Sequence, residues 1–348
     1  MKRILWHRVA AFVLITSALT VTAARSQPAT PLDLGTLGGQ FSLASALDNH
    51  GDVVGRSATA SGETHAFLWR AGEMIDLGTL PGGTYSEALA VNDRRQVVGW
   101  ATIDEQSCTL MDGCWHAFLW EDGVMTDLGG LDPRFQSYAL GINNRGDIVG
   151  ISNTADTPAQ WHAVEWRDGR IVDLGADLFA RAINKRGDIA GSYETVSAIA
   201  AVAWTRDGLI TLPSSPAGAA SLAYGINDDG QIAGTSNVAT PNFTAVVWTN
   251  GAVRALPQFP QAVRTVARAI NSHGEAVGEG TITTTGATIA LLWNREGIGA
   301  TRLAPLVPGG SAWASDINDH GAIAGTSESV SGGRAVLWMP PKGQRRSR

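Results

Sequence analysis

The sequence predicts an all-β chain, a seven-bladed β-propeller with four antiparallel strands per blade and a ring closed by its own first strand. Three observations predict it. A segment ending in Asn, a turn, and a strand ending in Gly recur together seven times. Each copy continues to a tryptophan that stands three residues after an alanine. The last copy lacks the closing Asp-Leu-Gly segment, and an orphan one stands before the first copy.

Each unit opens on a segment such as AVNDRRQVVG (90–99), GINNRGDIVG (141–150) or AINKRGDIAG (182–191); the first copy, ALDNHGDVVG (46–55), has Asp48 in place of the Asn. Small residues stand four and two positions before that Asn, as at Ala44 and Ala46 or Ala180 and Ala182, and share one face of a strand. Blades crowd together near a propeller's axis, so this strand is placed innermost. Asp316 alone breaks its pattern. In the turn, the Asn can bond its own backbone and a Gly can take positive φ. Arg95 holds the Gly place in the second copy, which predicts a slightly strained turn or one of another type there.

The following VVG, IVG or IAG segments are β-branched and short, favouring strand over helix. The third element leads to Trp69, Trp120, Trp166, Trp204, Trp248, Trp293 or Trp338, and a tryptophan can bury about 150–250 Å². A Gly-containing turn such as WRAG or WEDG then leads to a fourth short segment ending in Asp-Leu-Gly or a degraded form of it. Tight turns make antiparallel neighbours. The closing glycines, from Gly55 to Gly325, are spaced by 44, 51, 41, 43, 44 and 47 residues, a period that fits propellers. The orphan PLDLGTLGG (31–39) balances the missing last segment if Leu32–Leu34 pairs with the strand around Val336–Trp338. An open array has no use for a split unit, and closure removes a sheet edge.

Residues 1–26 read as a secretory leader: Lys2, Arg3 and Arg8, an apolar run from Val9 to Val21, then small residues around Ala24 and Ser26. Thirteen apolar residues are too few to span a bilayer as a helix, so no stable membrane insertion is expected. The propeller domain is assigned to 27–341 and a basic, disordered tail to 342–348. The formal charge is −6; removing the leader, with four basic residues and no acid, gives −10, and removing Lys342, Arg345, Arg346 and Arg348 leaves −14. So acidic a body repels phosphate backbones, which argues against nucleic acid. The only two cysteines, Cys108 and Cys114, are expected to close a local disulfide loop in an exported chain.

These motifs carry a resemblance. His65-Ala66-Phe67 and His116-Ala117-Phe118, with the Asp-Leu-Gly-Thr-Leu and Ile-Asn-x-x-Gly segments, resemble the repeats of the HAF family of extracellular repeat proteins over residues 32–338. The name motif drifts in later copies, to His162-Ala163-Val164 and then to copies without His. The resemblance implies an exported repeat protein and carries over no catalytic residue.

No catalytic residue, metal ligand or cofactor is assigned. His65, His116 and His162 fall at one repeat position, and His50, His273 and His320 in the turns, so packing and turn roles account for them. Asp33, Asp76, Asp127 and Asp173 recur and are expected to bond the backbone of the turn that follows. Asn227-Asp228-Asp229-Gly230 lacks the later ligands of a calcium loop. LGTLGG and LGTLPGG open no helix and contain no Gly-Lys, so they hold no phosphate.

What breaks the repeat is more informative. Twenty residues separate Gly99 from Trp120, against twelve to fifteen in the other copies, and the third copy has the next longest insertion. Loops joining second to third strands and fourth to first strands emerge on one face, where binding sites on such scaffolds gather. The expectation is therefore a ligand patch on blades 2 and 3, with Trp100, Trp115 and Trp161 as aromatic platforms and Asp104 and Glu105 as polar contacts. Such a patch suits a glycan or a protein loop, on a monomer. Two other readings are a hydrolase or lyase using carboxylates at the channel mouth, and a structural matrix or surface component.

Overall fold

The computed structural model describes residues 30–104, 114–155, 160–238, 242–295 and 299–340. The expected leader (1–26), Glu105, Cys108 and the C-terminal segment 342–348 lie outside the described residues. These form seven four-stranded antiparallel sheets and no helix. The chain is a seven-bladed β-propeller.

The innermost strands are Gly38–Leu47, Ser86–Val91, Ser137–Ile142, Leu178–Ile183, Ser221–Ile226, Ala262–Ile270 and Ala312–Ile317, and each packs against the next around the axis. Closure is as predicted. Pro31, Leu32 and Asp33 pair with Trp338, Leu337 and Val336, and the Leu34 N–H donates to the Ala335 carbonyl at 3.0 Å. The first described residues thus supply the outermost strand of blade 7, whose other strands come from the chain's end.

All seven innermost strands carry a bulge at one place. The residues at the bulges, Ser45, Leu89, Leu140, Arg181, Tyr224, Arg268 and Ser315, line the central channel. A bulge re-aims a side chain and sharpens local twist. It also brings a carbonyl of the inner strand hard against the closing glycine of the second strand: a methyl at Gly55, Gly99, Gly150, Gly191, Gly234, Gly278 or Gly325 would lie 1.8–2.2 Å from that oxygen. Only glycine fits there.

The turn asparagine does more than its local pattern suggests. Asn92 Oδ1 accepts from the N–H groups of Arg94 and Gln96, and its Nδ2 donates to the Asn143 carbonyl of the next blade at 2.9 Å. The same cross-blade bond runs from Asn143 to Asn184, Asn184 to Asn227, Asn227 to Asn271, Asn271 to Asn318 and Asn318 to Asp48, at 2.8–3.1 Å. This belt binds the blades to one another and needs a side chain that both accepts and donates. Asp48 accepts from His50 and Asp52 but has no N–H to pass on, so the belt is broken once, between blades 1 and 2. Arg95 takes φ 63° in the same turn where the other copies have Gly, and it bonds Asp52 at 2.9 Å.

A second set of staples joins blades near the outer strands. In five of the seven blades the N–H of the alanine three residues before the Trp donates to a hydroxyl on the next inner strand: Ala66 to Ser86, Ala117 to Ser137, Ala201 to Ser221, Ala245 to Thr265 and Ala335 to Ser42. The indoles of Trp166, Trp248, Trp293 and Trp338 donate to carbonyls of the preceding blade. Buried apolar clusters lie between the blades, each drawing on two neighbouring sheets.

Candidate functional site

The two faces of the ring differ. Leu37 bridges Thr59, and Thr64 bridges Tyr85, so the loop between second and third strands lies beside the chain entering an inner strand. These loops share one face, the insertions with them, and the Asn turns occupy the other.

On the loop face of blades 2 and 3, five aromatic rings form a continuous run. Tyr85 stacks on Trp100 with centroids 4.7 Å apart and planes at 22°. Trp100 meets Trp115 at 5.7 Å and Tyr138 at 5.5 Å, and Tyr138 meets Trp161 at 5.7 Å. Trp115 and Tyr138 close the group at 5.9 Å. Each ring is half-buried. The positions follow from strand register. Trp100 follows closing Gly99 and pairs with Ala117; Trp115 pairs with Thr102, Tyr138 with Ile151 and Trp161 with Asn153.

The structure therefore brings Trp100, Trp115 and Trp161 together, with Tyr85 and Tyr138 as the links between them. The two tyrosines carried no repeat-breaking signal. They sit at the entry of inner strands, and only the ring places those entries beside the inserted loops. Asp104 is exposed and packs over the Gly82 backbone at the edge of the group. Glu105 lies outside the described residues. Cys114 is buried and disulfide-bonded, whereas its expected partner Cys108 lies outside the described residues.

Polar groups meet the run at two points. Arg56 Nη1 donates to the Tyr85 hydroxyl at 2.6 Å and to Glu87 at 2.8 Å. Burial holds the Glu87 carboxyl above its ordinary range even though Arg56 pulls it back. Burial pushes the Tyr138 phenol up to about 12, so it keeps its proton and can donate. The Trp115 indole N–H is buried and makes no well-formed hydrogen bond, although it approaches Tyr138 closely enough to favour the phenolate slightly. A buried donor left open costs free energy until something accepts from it.

The channel beneath opens on the same face as a cavity of about 550 Å³. Blades 2 and 3 line it with Leu89 and Leu140, and blades 4 to 6 with Arg181, Tyr224, Arg264, Arg268 and Glu279. At the turn face the channel ends in a polar pocket of about 190 Å³ bearing Asp48, Asp93, Asp228, Asp316, Asp319 and Lys185. These acids come from several blades, the arrangement that would favour carboxylate catalysis. Each is occupied in holding the ring: Asp93 accepts from Asn49 and Asn144, Asp228 from Lys185, Asp319 from Ser272, and Asp316 from the Leu47 and Ile317 N–H groups. Asp48, His50 and Asp93 come near enough to share an ion, yet their atoms bond one another and the turn backbone. A further hollow of about 840 Å³ lies on that face, between blades 7 and 1, lined by His50, Trp69, His320 and Trp338 among others.

Three His–Asp pairs recur, His65 with Asp76, His116 with Asp127 and His162 with Asp173, at 2.9 Å. The same aspartates, and Asp33, accept from the N–H two residues on, the turn role expected of them. Among the described residues no hydroxyl or thiol bonds the far nitrogen of these imidazoles; His116 Nε2 meets the Pro133 carbonyl instead. The pairs lack a nucleophile and serve the third-to-fourth strand pairing.

No family model matches the sequence, and no curated protein does. Among solved structures, the chain is similar to an oligogalacturonate lyase from Vibrio parahaemolyticus (TM-score 0.61, 12% identity, covering 89% of this chain and 93% of that one). It is also similar to an oligogalacturonate lyase in complex with manganese (TM-score 0.58, 12% identity, covering 86% and 89%). A third is the β-propeller domain of the Trilobed protease from Pyrococcus furiosus (TM-score 0.54, 9% identity, covering 88% and 97%). At such identities the likeness concerns the fold. What geometry and comparison establish together is a closed seven-bladed β-propeller with an aromatic run on its loop face.

Proposed function

We propose that this chain is an exported saccharide-binding propeller of the HAF repeat type, and that the aromatic run on blades 2 and 3 is its binding shelf. The observation that carries the reading is the continuity of Tyr85, Trp100, Trp115, Tyr138 and Trp161, five half-buried rings from adjacent blades. Ordinary surfaces scatter such residues singly. Partly exposed rings offer flat apolar faces to the C–H side of a sugar, while the Tyr138 hydroxyl and the Arg56–Glu87 pair supply polar partners. That two similar structures are lyases named for an oligogalacturonate supports a saccharide over a protein loop as occupant. Binding without turnover fits the described residues better than catalysis, because the recurring His–Asp pairs serve strand pairing and the acids of the turn-face pocket hold the turns.

The test is titration calorimetry against a panel of oligosaccharides with wild type, Trp100→Ala and Tyr138→Ala. The expected result is a ligand whose affinity falls at least about tenfold in both variants, as loss of a stacking ring implies. A saccharide that binds all three proteins alike would remove the shelf from consideration.

A further inference from the structure

Resting on the saccharide reading, we infer that the ligand is an acidic saccharide, a uronate-bearing oligomer that lies on the aromatic run and places a carboxylate across the channel mouth against the arginines of blades 4 and 6.

The aromatic run lies on the loop face of blades 2 and 3, the face on which the channel cavity opens. That cavity is lined by Arg181 from the neighbouring blade 4 and by Arg264 and Arg268 from blade 6. Arg181 and Arg268 flank the Tyr224 ring at 5.6 and 4.7 Å, which fixes both guanidinium planes. Each also meets one acid, Glu194 at 2.6 Å and Glu279 at 2.8 Å. A guanidinium has five N–H donors, so one carboxylate leaves donors over. Arg264 is exposed, packs its head on Phe243 at 5.6 Å, and meets no carboxylate among the described residues. It is an uncompensated cation at the mouth of a body whose formal charge is −14 without leader and tail. Elsewhere such a surface turns anions away; here three guanidinium groups converge on a cavity.

Glu279 lines the cavity too, and its charge opposes an incoming carboxylate while it occupies Arg268. The geometry thus makes opposite predictions for two exposed or half-exposed residues, something a merely structural role for either would not produce.

The experiment uses the full mature chain and two probes, an α-linked galacturonic acid tetramer and its fully methyl-esterified form, in low and high salt. Wild type should bind the free acid about tenfold tighter than the ester, the scale of a charge-assisted bond, with the gap narrowing in high salt. Arg264→Gln should remove most of that gap and leave ester binding unchanged. Glu279→Gln should tighten the acid several-fold and leave the ester unchanged. Circular dichroism and thermal midpoints establish that each variant folds. Equal binding of acid and ester by wild type overturns the acidic assignment and leaves the shelf standing. Failure of both probes, and of the neutral panel, overturns both. Binding of a polyglutamate peptide through Arg264, with no saccharide bound, replaces the saccharide by an acidic peptide and overturns the inference.

Discussion

Asp316 gives the ring a pH dependence whose sign and size can be worked out. Its place on the inner strand holds Ala or Gly in the other six blades. In blade 7 a carboxyl is set deep in the ring, where burial pushes it up to about 7 from an ordinary 3.8, only partly opposed by the Leu47 and Ile317 N–H groups. Between about pH 4 and pH 7 the folded chain therefore keeps a proton that the unfolded chain has lost. The folded state binds more protons, so the unfolding free energy falls as pH rises through this window. Below it both states are protonated and the penalty vanishes; above it the penalty is complete. A gap of about three pKa units corresponds to about 4 kcal/mol. Asp316 also borders the polar pocket, and water there eases the charge, so we expect roughly 2–4 kcal/mol. Asp316→Asn removes the titration at a pH-independent cost of about 1 kcal/mol for one lost N–H acceptor. Urea unfolding of both proteins from about pH 4 to pH 8 is the assay. Asp93, Asp127 and Asp147 are shifted the opposite way and Glu87 and Asp48 the same way, so the quantity to read is the difference between the two profiles. That difference should rise with pH in favour of the variant. A flat difference would refute the reasoning.

Other consequences concern the belt, the bulges and the seam. Asn227→Asp keeps the two turn acceptors but removes the donor to the Asn271 carbonyl, and should cost about 1–3 kcal/mol by urea midpoint. Gly150→Ala places a methyl 1.8 Å from the Tyr138 carbonyl; displacing that backbone should cost at least about 3 kcal/mol in thermal unfolding, whereas Gly62→Ala, with open space around its Cβ and only a positive φ of 94° to strain it, should cost about 1–2 kcal/mol. Deleting residues 30–34 removes the strand paired with Pro31–Asp33's partners and exposes the edge of Gly332–Trp338. Light scattering should then show self-association, and an unchanged monomer with wild-type stability would contradict closure by this strand.

How much of this was legible in the sequence differs between fold and site. The blade count, the strand order and the closing pair follow from the repeat, because hydrophobic period, turn residues and a split unit are all local or countable. The insertions of blades 2 and 3 marked Trp100, Trp115 and Trp161, because residues that break a repeat stand out against it. Tyr85, Tyr138 and Arg268 left no such mark: each sits at an ordinary position in or beside an inner strand, and its neighbours are set by how strands pair and blades pack.

The sequence by itself determined the ring and the local work of its turns: the asparagine that accepts from its own backbone, the positive-φ glycine, the aspartate that caps its own segment. These bonds span four residues or fewer and are written in adjacent letters. Tertiary structure alone decided that the same asparagine also donates to the next blade's carbonyl, and that Asp48 interrupts the belt. It decided too that a bulge in one strand makes glycine obligatory in its neighbour, and that five aromatic rings of blades 2 and 3 meet in one run. These pairings join residues from about a dozen to more than forty positions apart, and the local pattern carries no information about them until strands are paired and blades are packed.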